Sequence, residues 1–122
     1  MNMKHIFQQG MNDNTLLLLH GTGGTEQDLL PLANMIDGKA NILSVRGNVL
    51  ENGMPRFFRR LSEGIFDEED LIFRTKELNE FLNEASSHYS FNRDNVIAVG
   101  YSNGANIAGS LLFHYENSLK AA

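Results

Sequence analysis

Close to the end of the chain, the apolar run Val96-Ile97-Ala98-Val99 passes through Gly100-Tyr101-Ser102-Asn103-Gly104 into Ala105-Asn106-Ile107-Ala108. An apolar strand that becomes a helix within a few residues leaves few folds open. A turn so tight brings its flanking positions against the neighbouring strand and helix, where side chains would collide. Glycine at 100 and at 104 removes those collisions. The serine at the apex is then held with its hydroxyl exposed. The helix that begins behind it points free N–H groups and its positive dipole end at the same place. Gly-x-Ser-x-Gly in this setting is the pattern of a nucleophile elbow. The plainer reading is a glycine-containing strand-to-helix turn with an incidental serine.

The rest of the chain alternates short apolar runs with helical stretches. Ile6-Phe7 suggests a first short strand. Leu16 to Leu19 is continuous and apolar, as expected of a strand buried on both faces. Thr25-x-x-Asp28 resembles a capping box and predicts a helix through about Ile36, with an irregular start because Pro31 lies late for a first turn, and with Gly38 as its stop. Ile42 to Val45 reads as the next strand. Arg46 to Phe66, with Gly47, Gly53, Pro55 and Gly64, reads as one long irregular loop, a length often functional in a compact domain. Asp67 caps a helix whose first turn holds Glu68, Glu69 and Asp70 at its positive end, better read as helix-terminal charge than as a metal cluster. Leu71, Thr75, Leu78, Leu82, Ala85 and Tyr89 recur at helical steps. The order strand, strand, helix, strand, helix, strand, helix argues for a parallel sheet with right-handed crossovers and helices on both faces. With 122 residues and no shift in composition, a single domain spanning 1–122 is expected.

Composition removes several classes of function. The net charge is −5 with no block of Lys or Arg, so nucleic acid is not an expected partner. There is no cysteine, which excludes disulfides, thiolate metal sites and cysteine nucleophiles. Neither the first ten residues nor Leu16–Leu19 forms an apolar run long enough for a secretory signal or a membrane span, so a cytoplasmic protein is expected, without membrane association. No cofactor and no metal is expected.

A second motif follows the first strong strand. His20-Gly21-Thr22-Gly23-Gly24 has the form of a turn that supplies a backbone donor, here Thr22 N–H, to an oxyanion. The other donor is Asn103 N–H, directly after Ser102. A phosphate loop is the weaker alternative, because position 26 is Glu and no Gly-Lys-Ser/Thr follows. His20 looks like a general base but is read as a brace for the turn. Arg46, just past a strand end, either binds a substrate carboxylate or braces the loop. Met54, Phe57 and Phe58 either line an acyl pocket or pack the loop onto the body. His5 and His88 are read as surface residues, and Asn103 and Asn106 as contributors to local hydrogen bonding.

Taken together, Leu17–Gly24, Arg46–Arg60, Gly64–Leu71 and Gly100–Asn106 resemble an α/β-hydrolase, most closely the bacterial phospholipase/carboxylesterase family. That family includes dienelactone-hydrolase-like and acyl-thioesterase members; the subgroup resembled is the one named for resistance to methylhydroquinone-type compounds. The resemblance implies a three-layer fold with a mostly parallel sheet. It also implies a serine hydrolase that cleaves small carboxylic esters through an acyl-enzyme. Ser102 would be the nucleophile, Thr22 and Asn103 the oxyanion donors, and Arg46, Met54 and Phe57 substrate contacts. It extends only to the N-terminal part of such a domain, whose catalytic order is Ser, then Asp, then His. After Ser102 the chain offers Glu116 and His114. His114 lies twelve residues further on, about 18 Å along a helix axis, out of reach of the serine hydroxyl. The expectation is therefore a truncated domain that lacks the catalytic Asp, the catalytic His and the C-terminal strands. By itself it would be nearly inactive, and its exposed elbow strand would offer an edge for self-association. The alternative is a truncated, non-catalytic binding or assembly module.

Overall fold

The computed structural model describes residues 1–62 and 64–122. A four-stranded sheet forms the middle layer. It contains β1 (His5–Gln8), β2 (Thr15–Leu19), β3 (Asn41–Val45) and β8 (Val96–Gly100), in the order β1-β3-β2-β8. β1 runs antiparallel to β3, while β2 is parallel to both β3 and β8. The sheet is thus mostly parallel, with one antiparallel edge.

β2 is central, and every residue from Thr15 to Leu19 is buried. Period-2 alternation divides its leucines between two cores. Leu17 and Leu19 face α2 (Glu68–Tyr89) and α3 (Asn103–His114), meeting Leu78, Phe81, Leu82, Ile107 and Leu111. Leu16 and Leu18 face the opposite layer, α1 (Leu30–Ile36), through Ala33. Each such leucine contributes roughly 2 kcal/mol relative to an exposed one. Helices on both faces of a mostly parallel sheet are the architecture that the apolar periodicity predicts.

Two parts depart from the sequence reading. The helix expected from Thr25 begins only at Leu30. Proline 31 stands in its first turn, where a missing N–H costs nothing; further inside, its ring would oppose a carbonyl. Thr25 and Asp28 instead hold a turn, with the Gln27 N–H donating to Thr25 Oγ1. The supposed irregular segment 46–66 is largely strand. β4 (Val49–Glu51) pairs antiparallel with β5 (Met54–Arg56), and β6 (Arg60–Ser62) with β7 (Ile65–Phe66). The two residues between β4 and β5 are Asn52 (φ 51°) and Gly53 (φ 81°). Positive φ at both positions marks the two-residue turn for which Asn-Gly is the favoured pair.

α2 matches its sequence signals. The Asp67 side chain accepts from the Asp70 N–H, and Glu68, Glu69 and Asp70 fill the first turn. His5, expected at the surface, is half buried. Its Nδ1 pairs with the Met3 carbonyl and its Nε2 with the Tyr89 hydroxyl.

The elbow strand's outer edge is also less bare than expected. Lys120 N–H donates to the Val96 carbonyl at 2.7 Å, and Ala98 N–H donates to the Ala121 carbonyl at 2.9 Å. Residues 120–121 thus lie parallel along β8. No helix among the described residues is long and apolar enough to cross a membrane.

Candidate active site

β8 and α3 carry the serine between them. Ser102 adopts φ 53° and ψ −111°, a backbone state that costs of order 1–3 kcal/mol for a residue with a Cβ. It persists because the surroundings enforce it. The Tyr101 N–H donates to the Leu19 carbonyl, Gly104 N–H to the Tyr101 carbonyl and Asn106 N–H to the Ser102 carbonyl. A Cβ on Gly100 would lie 2.7 Å from the Ala105 nitrogen. On Gly104 it would overlap the Leu19 carbonyl and lie 2.6 Å from the His20 oxygen. The collisions inferred from the motif are therefore specific: Gly100 against the helix, Gly104 against the end of β2. Ser102 is exposed, and its side chain caps no N–H of the helix it precedes.

The glycine-rich turn lies across from the elbow, because β2 and β8 are neighbours with Leu19 opposite Gly100. Gly24 N–H donates to the Gly21 carbonyl at 3.0 Å, which closes the turn. The Tyr101 ring, 70% exposed, packs on Gly21. Among the described residues neither Thr22 N–H nor Asn103 N–H donates to a protein acceptor. Backbone N–H groups without a protein acceptor are the kind of donor that can serve an anionic oxygen.

His20 is buried at 2% exposure and braces this turn. Its Nδ1 pairs with the Gly21 carbonyl at 2.6 Å, and its Nε2 accepts the Gly47 N–H at 3.0 Å. The imidazole packs against the Phe57 ring, tilted by 34° with the ring centres 4.6 Å apart. Burial lowers its pKa below the ordinary histidine value, against the opposing pull of the Gly21 carbonyl and nearby carboxylates. A neutral ring is what the Gly47 contact requires, since the accepting nitrogen must carry no proton.

None of the four histidines addresses Ser102. Both ring nitrogens of His20 are committed, as are those of His5. His88 is exposed near the end of α2, and His114 ends α3, at the opposite end of the helix from Ser102.

The expected substrate contacts are placed differently from one another. Arg46 forms a two-pronged pair with Glu26, Nε–Oε2 at 2.6 Å and Nη2–Oε1 at 3.0 Å. Of its two sequence readings, this is the bracing arrangement. Glu26 is 4% exposed. Burial raises its pKa, but the Arg46 hydrogen bonds, its own backbone N–H and the charges of Arg46 and Lys4 together outweigh this, and the net shift is downward. Phe57, at 1% exposure, belongs to the core and has almost no surface to offer a ligand; so does Phe58. Met54 is 41% exposed, with its sulfur beside Gly23 at the edge of the turn. Three surface grooves lie away from Ser102, two along α2 and one at residues 117–120.

Two side-chain contacts at the site escaped the sequence reading. The Asn103 side chain was assigned local contacts, yet its Oδ1 accepts the Phe57 N–H at 2.7 Å, 46 residues away. Its Nδ2 is buried without a partner. Arg56, 3% exposed, donates from Nη1 to Thr22 Oγ1 at 2.6 Å. The Asn52-Gly53 pair was the available signal, since a hairpin there carries residues 54–57 back over the turn.

No protein-family model matches the chain. It is similar to MhqD of Bacillus subtilis (strain 168), a protein provisionally named a hydrolase. They share 67% identity over 98% of this chain and 60% of the relative. Among solved structures it is similar to a Bacillus cereus carboxylesterase, with 73% identity and a TM-score of 0.96, over 98% of this chain and 58% of the other. A carboxylesterase from Mesorhizobium loti shares 30% identity with a TM-score of 0.92, over 98% and 58% of the two chains. The chain thus spans about three-fifths of the length of the relatives it matches.

Proposed function

From a chain whose fold is the N-terminal part of an α/β-hydrolase, we propose a serine hydrolase that cleaves carboxylic esters through an acyl-enzyme. Ser102 Oγ attacks the ester carbonyl carbon, and the carbonyl oxygen becomes an oxyanion. Thr22 N–H and Asn103 N–H receive that charge as it develops, each such donor contributing roughly 3–4 kcal/mol in favourable cases. The general base takes the serine proton and passes it to the alkoxide as the ester C–O bond breaks; water then hydrolyses the acyl-serine, releasing the acid and restoring the hydroxyl. The observation that carries this reading is Ser102 itself. It is exposed and held at φ 53° and ψ −111° at the head of α3, after the strand neighbouring the one that ends in the Thr22 turn. The names of the relatives support the same chemistry.

The general base and its carboxylate are expected from outside these 122 residues, since no imidazole here reaches Ser102. The 122 residues alone would keep the oxyanion donors without the base. Their turnover is then expected several orders of magnitude below that of a complete hydrolase. The test is labelling with a fluorophosphonate, on this chain and on any longer form its gene encodes. Covalent labelling that disappears in Ser102→Ala is the expected result. Absence of labelling in both forms defeats the nucleophile assignment. Met54, whose exposed thioether borders the turn, is the substrate contact in this reading.

A further inference from the structure

The strap Pro55-Arg56-Phe57 touches both halves of the site in three consecutive residues. The Pro55 carbonyl accepts the Gly23 N–H at 3.0 Å. Arg56 Nη1 donates to Thr22 Oγ1 at 2.6 Å, and the Phe57 N–H donates to Asn103 Oδ1 at 2.7 Å. The strap is therefore a ruler between the residue bearing one candidate oxyanion donor and the residue bearing the other. Arg56 is its most unusual member. The guanidinium is almost fully buried, and its Nε donates to the Phe58 carbonyl. Its nearest carboxylate, Glu51, stands at 3.4 Å and is shared with Arg60 at 2.9 Å. Two cations share one anion, so positive charge remains behind the turn. Thr22 Oγ1 accepts from Arg56, and its own proton has no acceptor among the described residues.

We propose that Arg56 is a positioning residue for the oxyanion site. Through the Thr22 hydroxyl it fixes the turn so that Thr22 N–H stays aligned with Asn103 N–H, and it adds positive potential where negative charge develops. It touches neither substrate nor Ser102. The inference rests on the hydrolase reading above and deepens it by naming what holds the donors in register. Such alignment matters because misplacement by a fraction of an ångström weakens transition-state stabilisation without weakening substrate binding.

The experiment compares wild type, Arg56→Met, Thr22→Val and Thr22→Ser in the protein as its gene encodes it, with p-nitrophenyl acetate as substrate. Rates are divided by the serine titrated with a fluorophosphonate, so that loss of folded protein does not count. Thr22→Val keeps shape and backbone N–H but removes the hydroxyl. Arg56→Met and Thr22→Val are each expected to lower kcat on the order of tenfold, with KM changed less than about twofold. The double variant is expected to be no worse than either single one, because both cut the same link. Thr22→Ser, which restores the hydroxyl, is expected to recover most of the loss. If Arg56→Met does not fold, Thr22→Val decides alone. An unchanged kcat in Thr22→Val overturns the role of Arg56 while leaving Ser102 as nucleophile. A wild type that neither turns over the ester nor reacts with the fluorophosphonate overturns the hydrolase reading, and this inference with it.

Discussion

Two glycines on α3 experience opposite environments, and the same substitution at each should have opposite signs. Gly104 faces the end of β2. A methyl group there would overlap the Leu19 carbonyl and lie 2.6 Å from the His20 oxygen, where ordinary contact begins near 3.4 Å. Both neighbours are backbone, so no rotamer change relieves the overlap. Either α3 lifts from the sheet or β2 bends at the turn that carries Thr22. Overpacking typically costs 1–3 kcal/mol, and a clash confined to backbone belongs at the top of that range, about 3 kcal/mol. Gly109 has nothing within 4 Å of its added methyl and is exposed. Gly109→Ala should therefore stabilise by about 1 kcal/mol, through reduced unfolded-state entropy and better helix propensity. The two variants should differ by about 4 kcal/mol, a large part of a typical domain's stability. Urea unfolding followed by circular dichroism measures this directly. In a thermal melt the expected shifts are about 10 °C down for Gly104→Ala and about 4 °C up for Gly109→Ala. A Gly104→Ala protein within 0.5 kcal/mol of wild type, as for an ordinary surface change, would refute the claim that the helix–strand approach sets the geometry of the elbow.

Three further outcomes follow from the site. His20 has a lowered pKa, so the unfolded chain takes up a proton before the native one does; stability is full above the ordinary value of 6.5 and falls as pH drops below it. NMR titration of the His20 ring should give a midpoint under 6.5, and a midpoint at or above it would contradict the buried acceptor role. Arg46→Met strands Glu26, whose side chain is 5% exposed, while water already reaches part of Arg46 at 32%. A loss of about 2 kcal/mol is expected, partly recovered in Arg46→Met/Glu26→Gln, and a double-mutant cycle with no coupling would discount the pair. Asn103→Ala removes the acceptor for the Phe57 N–H and should cost about 2 kcal/mol. Hydrogen exchange at the Phe57 amide should accelerate, and retained protection there would show that the strap is held by other contacts.

Local pattern was enough for the parts of this protein that local pattern controls. The four buried leucines of β2, the Asp67-capped helix α2 and the tight glycine-flanked turn at Ser102 are each specified by residues within a few positions of one another. Apolar period, a capping oxygen and the absence of a Cβ act over one turn or one pleat, so they are visible in the sequence. The β4–β5 hairpin at 49–56 is also locally encoded, in Asn52-Gly53, but the surrounding glycines and proline obscure the signal. The late start of α1 shows one local rule overriding another, Pro31 against the Thr25 capping pattern.

What the sequence by itself determined is the nucleophile turn, the alternating strands and helices, and the composition that excludes cysteine chemistry. What tertiary structure alone decided is which residues meet. Arg46 closes on Glu26, Phe57 enters the core, buried His20 accepts the Gly47 N–H, and Arg56 reaches Thr22 across 34 positions. The physical reason is that a side chain's role depends on what stands opposite it. Parallel pairing of β2 with β8, and the fold-back of the 49–56 hairpin, bring together residues that no local periodicity relates.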